Sequence, residues 1–293
     1  MDVLTIQTMS SDDVQELVSW AANEGWNPGV HDARTFYQVD PEGFIAAKVD
    51  GRLVGGGAII RHNDSFGFMG LFLVAPEFRG KGIGRELWFT RRNRLLNRMS
   101  PGASIGMDAV DTMQDFYSAG GFRPDYRVSR FQWKSKRTGA DRDGSFEMPS
   151  NIVNVSAVSR ESLGTLDHQC FPGLRNAYLN SWLDQPDIHS LACVSDTGAV
   201  RGYGVMRPAH NGWKIGPLFA EEDSVANALL DVFLAHAGEE MVFIDVPQAN
   251  QRGVQMYLDR GMNSIFECTR MYYGARPAID LSRIYGVTTL ELG

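Results

Sequence analysis

The chain repeats one order of strands and helices, and this internal duplication limits its fold more than any other feature of the sequence. Residues 43–61 and 190–207 each read as two strands around a tight turn that ends in glycine. Arg61 and Arg207, at the ends of these segments, lie 146 positions apart. In both halves a further strand, a helix, a short strand and a second helix follow. The sequence therefore predicts an α/β protein with mixed sheets, built as two tandem domains that are each a twisted sheet flanked by helices.

A polar segment separates the two copies. Residues 135–150 are rich in Arg, Asp, Gly and Ser, show no apolar periodicity and are typical of a linker. We therefore expect a first domain at 1–136, a linker at 137–150 and a second domain at 151–293. For a chain of 293 residues, two domains of about 150 residues each are the usual division.

Composition narrows the classes of function. Lys and Arg number 28 against 35 Asp and Glu, a net charge of −7 that disfavours a nucleic-acid partner. The sequence has no apolar run of 18 residues and no basic-then-apolar leader, so we expect neither a membrane partner nor a signal peptide. Cys170, Cys193 and Cys268 are scattered without metal-ligand spacing, which indicates reduced thiols in a cytoplasmic protein and no metal cofactor.

The most informative local motif is a glycine-rich loop between a strand and a helix. Leu71–Val74 is apolar enough for a buried strand, Pro76 ends it, and a helix begins near Gly84. Glycines allow backbone N–H groups to converge at the positive end of the helix dipole, which favours a phosphate or pyrophosphate. The predicted anion-binding residues are Arg79, Gly80, Lys81, Gly82, Ile83, Gly84 and Arg85. A glycine-rich turn without a ligand is the alternative, whereas the triphosphatase and dinucleotide signatures are absent.

This loop resembles the signature of the GNAT (Gcn5-related N-acetyltransferase) superfamily, Arg/Gln-x2-Gly-x-Gly/Ala. Arg79, Gly82 and Gly84 meet that signature. Residues 116–122, Phe-Tyr-Ser-Ala-Gly-Gly-Phe, are similar to the superfamily's later Phe-Tyr-x3-Gly-Phe box, with one extra glycine. The resemblance covers residues 3–134 and implies that this part of the chain binds acetyl-CoA.

The same resemblance implies roles for three residues near the loop. Leu73 and Val74 would lie along the pantetheine arm, where a backbone N–H polarises the thioester carbonyl. Tyr117 matches the general-acid position, and a phenol with a pKa of about 10 can give a proton to a departing thiolate. The alternative for Tyr117 is a tyrosine that only packs against the core or orders the thiol.

The general base and the acceptor site are open from the sequence. Glu24, between two helical stretches, and Asp108, near the end of a strand, are candidates to take a proton from the amine. Trp26 and Asn27 would line the acceptor pocket, because their segment borders that pocket in GNAT folds. Capping or solvated carboxylates and a structural Trp are the alternatives.

The second copy departs from the signature at the loop itself. It resembles the GNAT-related second domain of tandem proteins, but residues 219–224, Phe-Ala-Glu-Glu-Asp-Ser, contain three carboxylates and no glycine. Those carboxylates would repel a pyrophosphate. We therefore expect the cofactor in the first domain only, with Tyr257 packing where Tyr117 acts. The second domain would shape the acceptor side or mediate a homodimer.

These observations predict an acetyl-CoA-dependent N-acetyltransferase. The acetyl group would pass to a primary amine of a small molecule, or of a peptide or protein, by direct attack on the thioester. The alternative from another class of function is a non-catalytic acyl-CoA-binding or regulatory module that retains the loop but no longer catalyses acetyl transfer. A structural dimerisation protein without a cofactor is the third reading.

Overall fold

The computed structural model describes residues 3–134 and 147–293, so the predicted boundary at 136 and most of the predicted linker, 137–150, lie outside the described residues. Within those ranges the chain forms eight α-helices and thirteen strands. The helices are α1 (Ser11–Asn23), α2 (Asp32–Val39), α3 (Ile83–Asn97), α4 (Gln114–Ala119), α5 (Arg160–Cys170), α6 (Asn176–Leu183), α7 (Asp223–Ala237) and α8 (Gln251–Asp259). The strands are β1 (Leu4–Thr8), β2 (Phe44–Val49), β3 (Arg52–Arg61), β4 (Phe66–Val74), β5 (Ser104–Ala109), β6 (Arg123–Lys134), β7 (Ile152–Asn154), β8 (His189–Val194), β9 (Val200–Pro208), β10 (Trp213–Ala220), β11 (Met241–Pro247), β12 (Asn263–Tyr273) and β13 (Ile284–Gly286).

All of these strands belong to one continuous sheet. Twelve follow the order β1-β2-β3-β4-β5-β12-β6-β11-β10-β9-β8-β7, and β13 pairs with β10. The pairs β4–β5 and β10–β11 are parallel, while the other pairs are antiparallel. The predicted α/β fold with a mixed sheet flanked by helices is confirmed, and the sheets of the two halves are joined edge to edge.

The two halves exchange their last strands at this junction. β12, from the second half, lies between β5 and β6, whereas β6, from the first half, lies between β12 and β11. Antiparallel pairing joins Met271 to Met107 on one side and Phe131 to Ile244 on the other. Backbone pairing therefore holds the halves together along three neighbouring strand pairs, β5–β12, β12–β6 and β6–β11.

Buried ion pairs reinforce the same junction. Among the described residues, three Arg–Asp pairs cross between the halves with two hydrogen bonds each: Arg130–Asp245, Arg270–Asp108 and Arg207–Asp32. The side chains in these pairs are at most 6% exposed. Because a buried charge is tolerated only with such a partner, each pair fixes the position of one half on the other.

A cleft opens in the first half where β4 and β5 separate. The two strands are paired only from Phe66 to Phe68, against residues 104–106. Beyond that point β4 contains a bulge, in which Leu71 has a φ of 49°. The backbone edge of β4 is then left open at the carboxyl ends of parallel strands, which is where α/β sheets bind ligands.

The helices beside this cleft have clear local causes. A capping box between Ser10 and Asp13 starts α1, which ends at Asn23 and leaves Glu24 at the cleft rim. Leu87 and Leu95 pack α3 against the sheet within the core of the first half. Among the described residues, no helix combines the length and the apolar character needed to cross a membrane.

Candidate active site

A cavity of about 580 Å³ occupies the cleft between β4 and β5. Its lining includes residues of the glycine-rich loop, Tyr117 of α4, and Leu73 and Val74 of β4. The volume falls within the range of small-molecule sites. The structure thus brings together the predicted anion-binding loop, the predicted arm-binding strand and the predicted acid.

The loop has the backbone form that its glycines suggested. Gly80 and Gly82 have φ angles of 75° and 84°, in the left-handed region that strains other residues. Gly82 is the N-cap of α3, and no side chain caps this helix end. The first amide groups of a helix lack partners within the helix, so they are available to an anion. Arg79, Gly84 and Arg85 line the cavity beside them.

Lys81 and Ile83, also part of the predicted loop, are not among the residues that line the cavity. The Lys81 ammonium lies 4.9 Å from the centre of the Phe78 ring and is exposed to solvent. Ile83 is 8% exposed and anchors the start of α3 in the core. Lys81 is therefore placed to add positive charge near a bound phosphate, while Ile83 contributes through its backbone.

Tyr117 of α4 also lines this cavity. It is 6% exposed and stacks on Trp88, with 6.2 Å between the ring centroids. Burial raises the pKa of Tyr117 to about 12, against the opposing effect of the nearby Arg91 cation. The phenol therefore stays protonated at neutral pH and can act as a hydrogen-bond donor or an acid.

Arg91 of α3 places a buried positive charge in the same cavity. It is 1% exposed and donates to the carbonyl oxygens of Ala58 and Gly70, at 2.5 and 2.7 Å. No carboxylate within 3–134 or 147–293 forms an ion pair with it, and its Nε has no partner there. Burial lowers the pKa of Arg91 to about 10, so it remains a cation at neutral pH.

Asp108 lies on β5 where the cleft meets the junction of the halves. Its two carboxylate oxygens accept hydrogen bonds from Arg270 at 2.7 and 2.9 Å. Burial raises the pKa of Asp108, although Arg270 opposes that shift. The carboxylate is thus held rigidly in the wall of the cavity.

Glu24 is paired with the motif arginine. Its Oε1 accepts a hydrogen bond from Nη2 of Arg79 at 2.5 Å, and both side chains are partly exposed. Arg79 also donates from Nε to the carbonyl oxygen of Val74 at 2.9 Å. This pair links the end of α1 to the anion-binding loop across the mouth of the cleft.

The predicted acceptor residues are held at the junction of the halves. The carbonyl oxygen of Trp26 accepts a hydrogen bond at 2.8 Å from Arg130, on β6 of the first half. The side-chain amide of Asn27 both donates to and accepts from the backbone of Asn211, at 3.1 and 2.8 Å. Asn27 therefore connects its segment to the second half. Because its amide already donates one hydrogen bond and accepts another, few of its hydrogen-bonding positions remain for a ligand.

A second cavity, of about 280 Å³, adjoins the first and lies between the halves. Both cavities are lined by Glu24, Trp26, Asp108 and Val110. The remaining lining residues are Gly25, Asn27, Arg130, Phe243, Ile265, Phe266, Cys268, Leu290 and Glu291. Strands β6, β11 and β12 and the segment 287–293 thus build most of the second cavity, which neither half could form alone.

Segment 287–293 reaches this cavity by crossing the first half. A methyl group on Gly70 of β4 would overlap the carbonyl oxygen of Glu291, so only glycine allows the segment to lie this close. The carbonyl oxygen of Leu292 contacts Nε2 of His62 at 2.8 Å. The segment is therefore docked, with Glu291 only 3% exposed.

The corresponding cleft of the second half is filled by the chain itself. β10 and β11 are paired over 213–215 and then separate, but β13 pairs with β10 in the opening. The hydroxyl of Tyr257, the counterpart of Tyr117, donates to the carbonyl oxygen of Tyr285 in β13. Tyr257 is fully buried, in agreement with its predicted packing role.

Sequence reasoning missed Arg91, Arg130 and Glu291. Arg91 lies midway between Leu87 and Leu95, at the four-residue spacing of a buried helix face, and this spacing was an available signal. Nothing local distinguishes Arg130 or Glu291, because their positions depend on strand exchange and on a segment that crosses between halves. Among the described residues, no group of three or more potential metal ligands is found.

Two family profiles match the chain. The profile described as "Acetyltransferase (GNAT) family" matches residues 11–120, and the one described as "Acetyltransferase (GNAT) domain" matches residues 163–286. The two matches fall on the two halves in which the repeat was recognised.

Similar proteins cover nearly the whole chain. A holothin acyltransferase of Pseudoalteromonas sp. (strain SANK 73390) is 27% identical over 290 residues, which is 99% of this chain and 94% of the relative. A solved protein from Pyrococcus horikoshii, provisionally described as an acetyltransferase, has a TM-score of 0.81 at 20% identity and covers 99% of this chain and 96% of its own. A tandem GNAT protein from the clavulanic acid biosynthesis pathway has a TM-score of 0.64 at 17% identity, over 94% of this chain and 99% of its own.

Proposed function

Because this chain is a tandem protein of the GNAT superfamily, we propose that its first half binds acetyl-CoA and transfers the acetyl group to a primary amine held between the halves. The observation that carries this proposal is the connection of the two cavities. The larger one joins the anion-binding loop to Tyr117, and the smaller one shares four lining residues with it. A donor and an acceptor in these cavities would therefore meet near Asp108.

The comparisons support acyl transfer as the general activity. Acyl transfer from a CoA thioester is the chemistry common to the GNAT families whose profiles match both halves. The relative from Pseudoalteromonas, whose name assigns it acyl transfer, is similar through both halves rather than through the first alone.

The anion-binding loop would hold the pyrophosphate of the donor. Amides at the start of α3 and the cations Arg79 and Arg85 would bind it, and the open edge of β4 near Leu73 and Val74 would bind the pantetheine arm. Nη1 of Arg79 would reach the phosphate while Nη2 keeps its contact with Glu24 and Nε keeps its contact with Val74.

The reaction then needs no covalent enzyme intermediate. The amine nitrogen attacks the thioester carbonyl from the smaller cavity, a C–N bond forms and the C–S bond breaks. Tyr117 gives a proton to the departing thiolate, with Arg91 stabilising negative charge beside it. The proton lost by the nitrogen passes to Asp108 or to water.

A thiol-release assay tests this function. We expect the wild-type protein to release free CoA thiol only when acetyl-CoA and an amine are both present. Gly82→Glu should lower the rate about 100-fold, because a carboxylate at the start of α3 repels the pyrophosphate. Gly198→Glu is the matched control, since Gly198 is also a turn glycine with a φ of 80° and open space around it.

Two outcomes would contradict the proposal. Equal loss of activity in Gly198→Glu and Gly82→Glu would show that the loop has no special role. Binding of acetyl-CoA without thiol release for any amine would instead favour the non-catalytic acyl-CoA-binding module.

A further inference from the structure

We propose that the acceptor is a weakly basic amine, uncharged near neutral pH, such as an arylamine or a heteroarylamine, rather than an alkylammonium ion or a polyamine. This inference rests on the proposed acyl transfer. Three observations support it: the ion pairs around the smaller cavity, the buried cation Arg91 in the larger cavity, and the apolar walls of the smaller cavity.

Every charged side chain that lines the smaller cavity already has an oppositely charged partner. The pairs and their closest N–O distances are Glu24–Arg79 at 2.5 Å, Asp108–Arg270 at 2.7 Å, Arg130–Asp245 at 2.7 Å and Glu291–Lys214 at 3.8 Å. An ammonium ion would have to leave water for a cavity without a spare counter-charge, which is costly. An uncharged amine avoids that cost.

Glu291 is the most loosely paired of these carboxylates, yet it is a poor base. Burial opposes its ionisation, but Lys214 and Arg130 outweigh this effect and lower the pKa of Glu291 to about 2. The Thr289 hydroxyl also donates to its Oε2. Such a group cannot deprotonate an alkylammonium ion, because the ammonium ion has a pKa of about 10.

Asp108 can take a proton only late in the reaction. Arg270 donates a hydrogen bond to each carboxylate oxygen of Asp108. The lone pairs that remain on Asp108 therefore accept a proton from a free ammonium ion only weakly. An uncharged amine attacks first, and its N–H becomes acidic only as the C–N bond forms. The proton then goes to Asp108 or water, the C–S bond breaks, and the thiolate takes the Tyr117 proton.

Arg91 repels a cationic nucleophile at the point of attack. Its guanidinium lies in the wall of the larger cavity, 4.8 Å from the centre of the Phe72 ring, together with Tyr117. Since no carboxylate in the described residues forms an ion pair with it, Arg91 would add positive charge near the bound thioester. This charge favours a developing thiolate and disfavours an ammonium ion.

The walls of the smaller cavity suit a flat, apolar body. Phe243 is 4% exposed, and Trp26, Phe266 and Leu290 are half-buried around the same space. Aromatic rings pack favourably against one another at their edges and faces. A single aromatic ring with an amino group fits the cavity volume of about 280 Å³.

Two isomeric amines, 4-methylaniline and benzylamine, test this inference because they differ mainly in charge. At pH 7 we expect kcat/KM for 4-methylaniline to exceed that for benzylamine about 100-fold, since nearly all benzylamine is protonated. From about pH 6 to 8, kcat/KM should be flat for 4-methylaniline and should rise about tenfold per pH unit for benzylamine. Acetyl-CoA binding is measured in parallel by calorimetry.

The outcomes separate this inference from the proposed function. Equal or better use of benzylamine at pH 7 would overturn the acceptor class and leave acyl transfer intact. Bound acetyl-CoA with no thiol release from 4-methylaniline would also overturn the class. Absence of acetyl-CoA binding would overturn the proposed function itself.

A charge placed on the rim of the cavity gives an independent test. Ile265 lines the cavity, is 50% exposed and lies at a bulge of β12, so it tolerates polar substitution. Ile265→Asp should raise kcat/KM for benzylamine about two- to fivefold over Ile265→Asn, its uncharged match, and should not raise that for 4-methylaniline. Equal values for benzylamine in the two variants would contradict charge exclusion by the cavity.

Discussion

Tyr117→Phe is expected to lower kcat about 100-fold and to change the Kd for acetyl-CoA less than about twofold. The substitution removes only the hydroxyl, so the ring still stacks on Trp88 and the cavity keeps its shape. The thiolate then departs without a proton donor. Steady-state kinetics and calorimetry measure the two quantities. Because the pKa of Tyr117 is about 12, wild-type kcat should not fall through ionisation of this phenol between about pH 7 and 9.

Tyr257→Phe is the matched control for this prediction. Tyr257 is the counterpart of Tyr117 in the second half, but its hydroxyl donates to the Tyr285 carbonyl oxygen. Its loss should cost about 1–3 kcal/mol of unfolding free energy and leave kcat unchanged. A kcat for Tyr117→Phe within a factor of about three of wild type would leave Tyr117 only a packing or thiol-ordering role.

Arg130→Met should destabilise the protein by about 3–5 kcal/mol, measured by equilibrium denaturation. Arg130 and Asp245 are 6% and 5% exposed and share two hydrogen bonds between β6 and β11. Removing the cation leaves Asp245 as a buried, uncompensated charge at the junction of the halves. We expect both halves to unfold together, since the exchanged strands belong to one sheet.

Arg127→Met provides the matched control on the same strand. Arg127 pairs with Asp111 and Glu267, but it is 38% exposed, so its loss should cost at most about 1 kcal/mol. The double variant Arg130→Met/Asp245→Leu should recover most of the stability, because no buried charge remains unpaired. Equal destabilisation by Arg127→Met and Arg130→Met would contradict the importance of the buried pair.

The parts of the site that could be predicted from the sequence are those set by local patterns. The loop at 79–85 follows a strand and opens a helix, and these relations hold within about 20 residues. Tyr117 likewise belongs to a short motif on one helix. The repeat identified both halves, since each copy carries the same order of apolar strands and helices.

The rest depends on contacts that a local pattern does not encode. The apolar pattern of β6 or β12 fixes which face is buried but not which strand lies alongside, so the exchange was not predicted. Glu291 meets Gly70 across 221 positions of sequence, and Asn27 meets Asn211 across 184. The smaller cavity is built from such contacts, which explains why its lining beyond Glu24, Trp26, Asn27 and Asp108 was missed.

The strand β13 gives a physical reason for the asymmetry of the two halves. In the second half, three carboxylates stand where the first half has its glycine-rich loop. β13 pairs with β10 where β10 and β11 separate, and so fills the corresponding cleft. Leu290 and Glu291 of the next segment, 287–293, then line the smaller cavity between the halves. The second half therefore contributes walls and a docked segment to the smaller cavity, which adjoins the open cleft of the first half.

The number of acetyl-CoA molecules bound per chain distinguishes an open cleft in one half from an open cleft in both. Calorimetric titration of the wild-type chain should show one site per chain, lost in Gly82→Glu and kept in Gly198→Glu. That result follows from an open cleft beside the loop in the first half and a filled cleft in the second. Two sites per chain, or a single site unaffected by Gly82→Glu, would contradict the account.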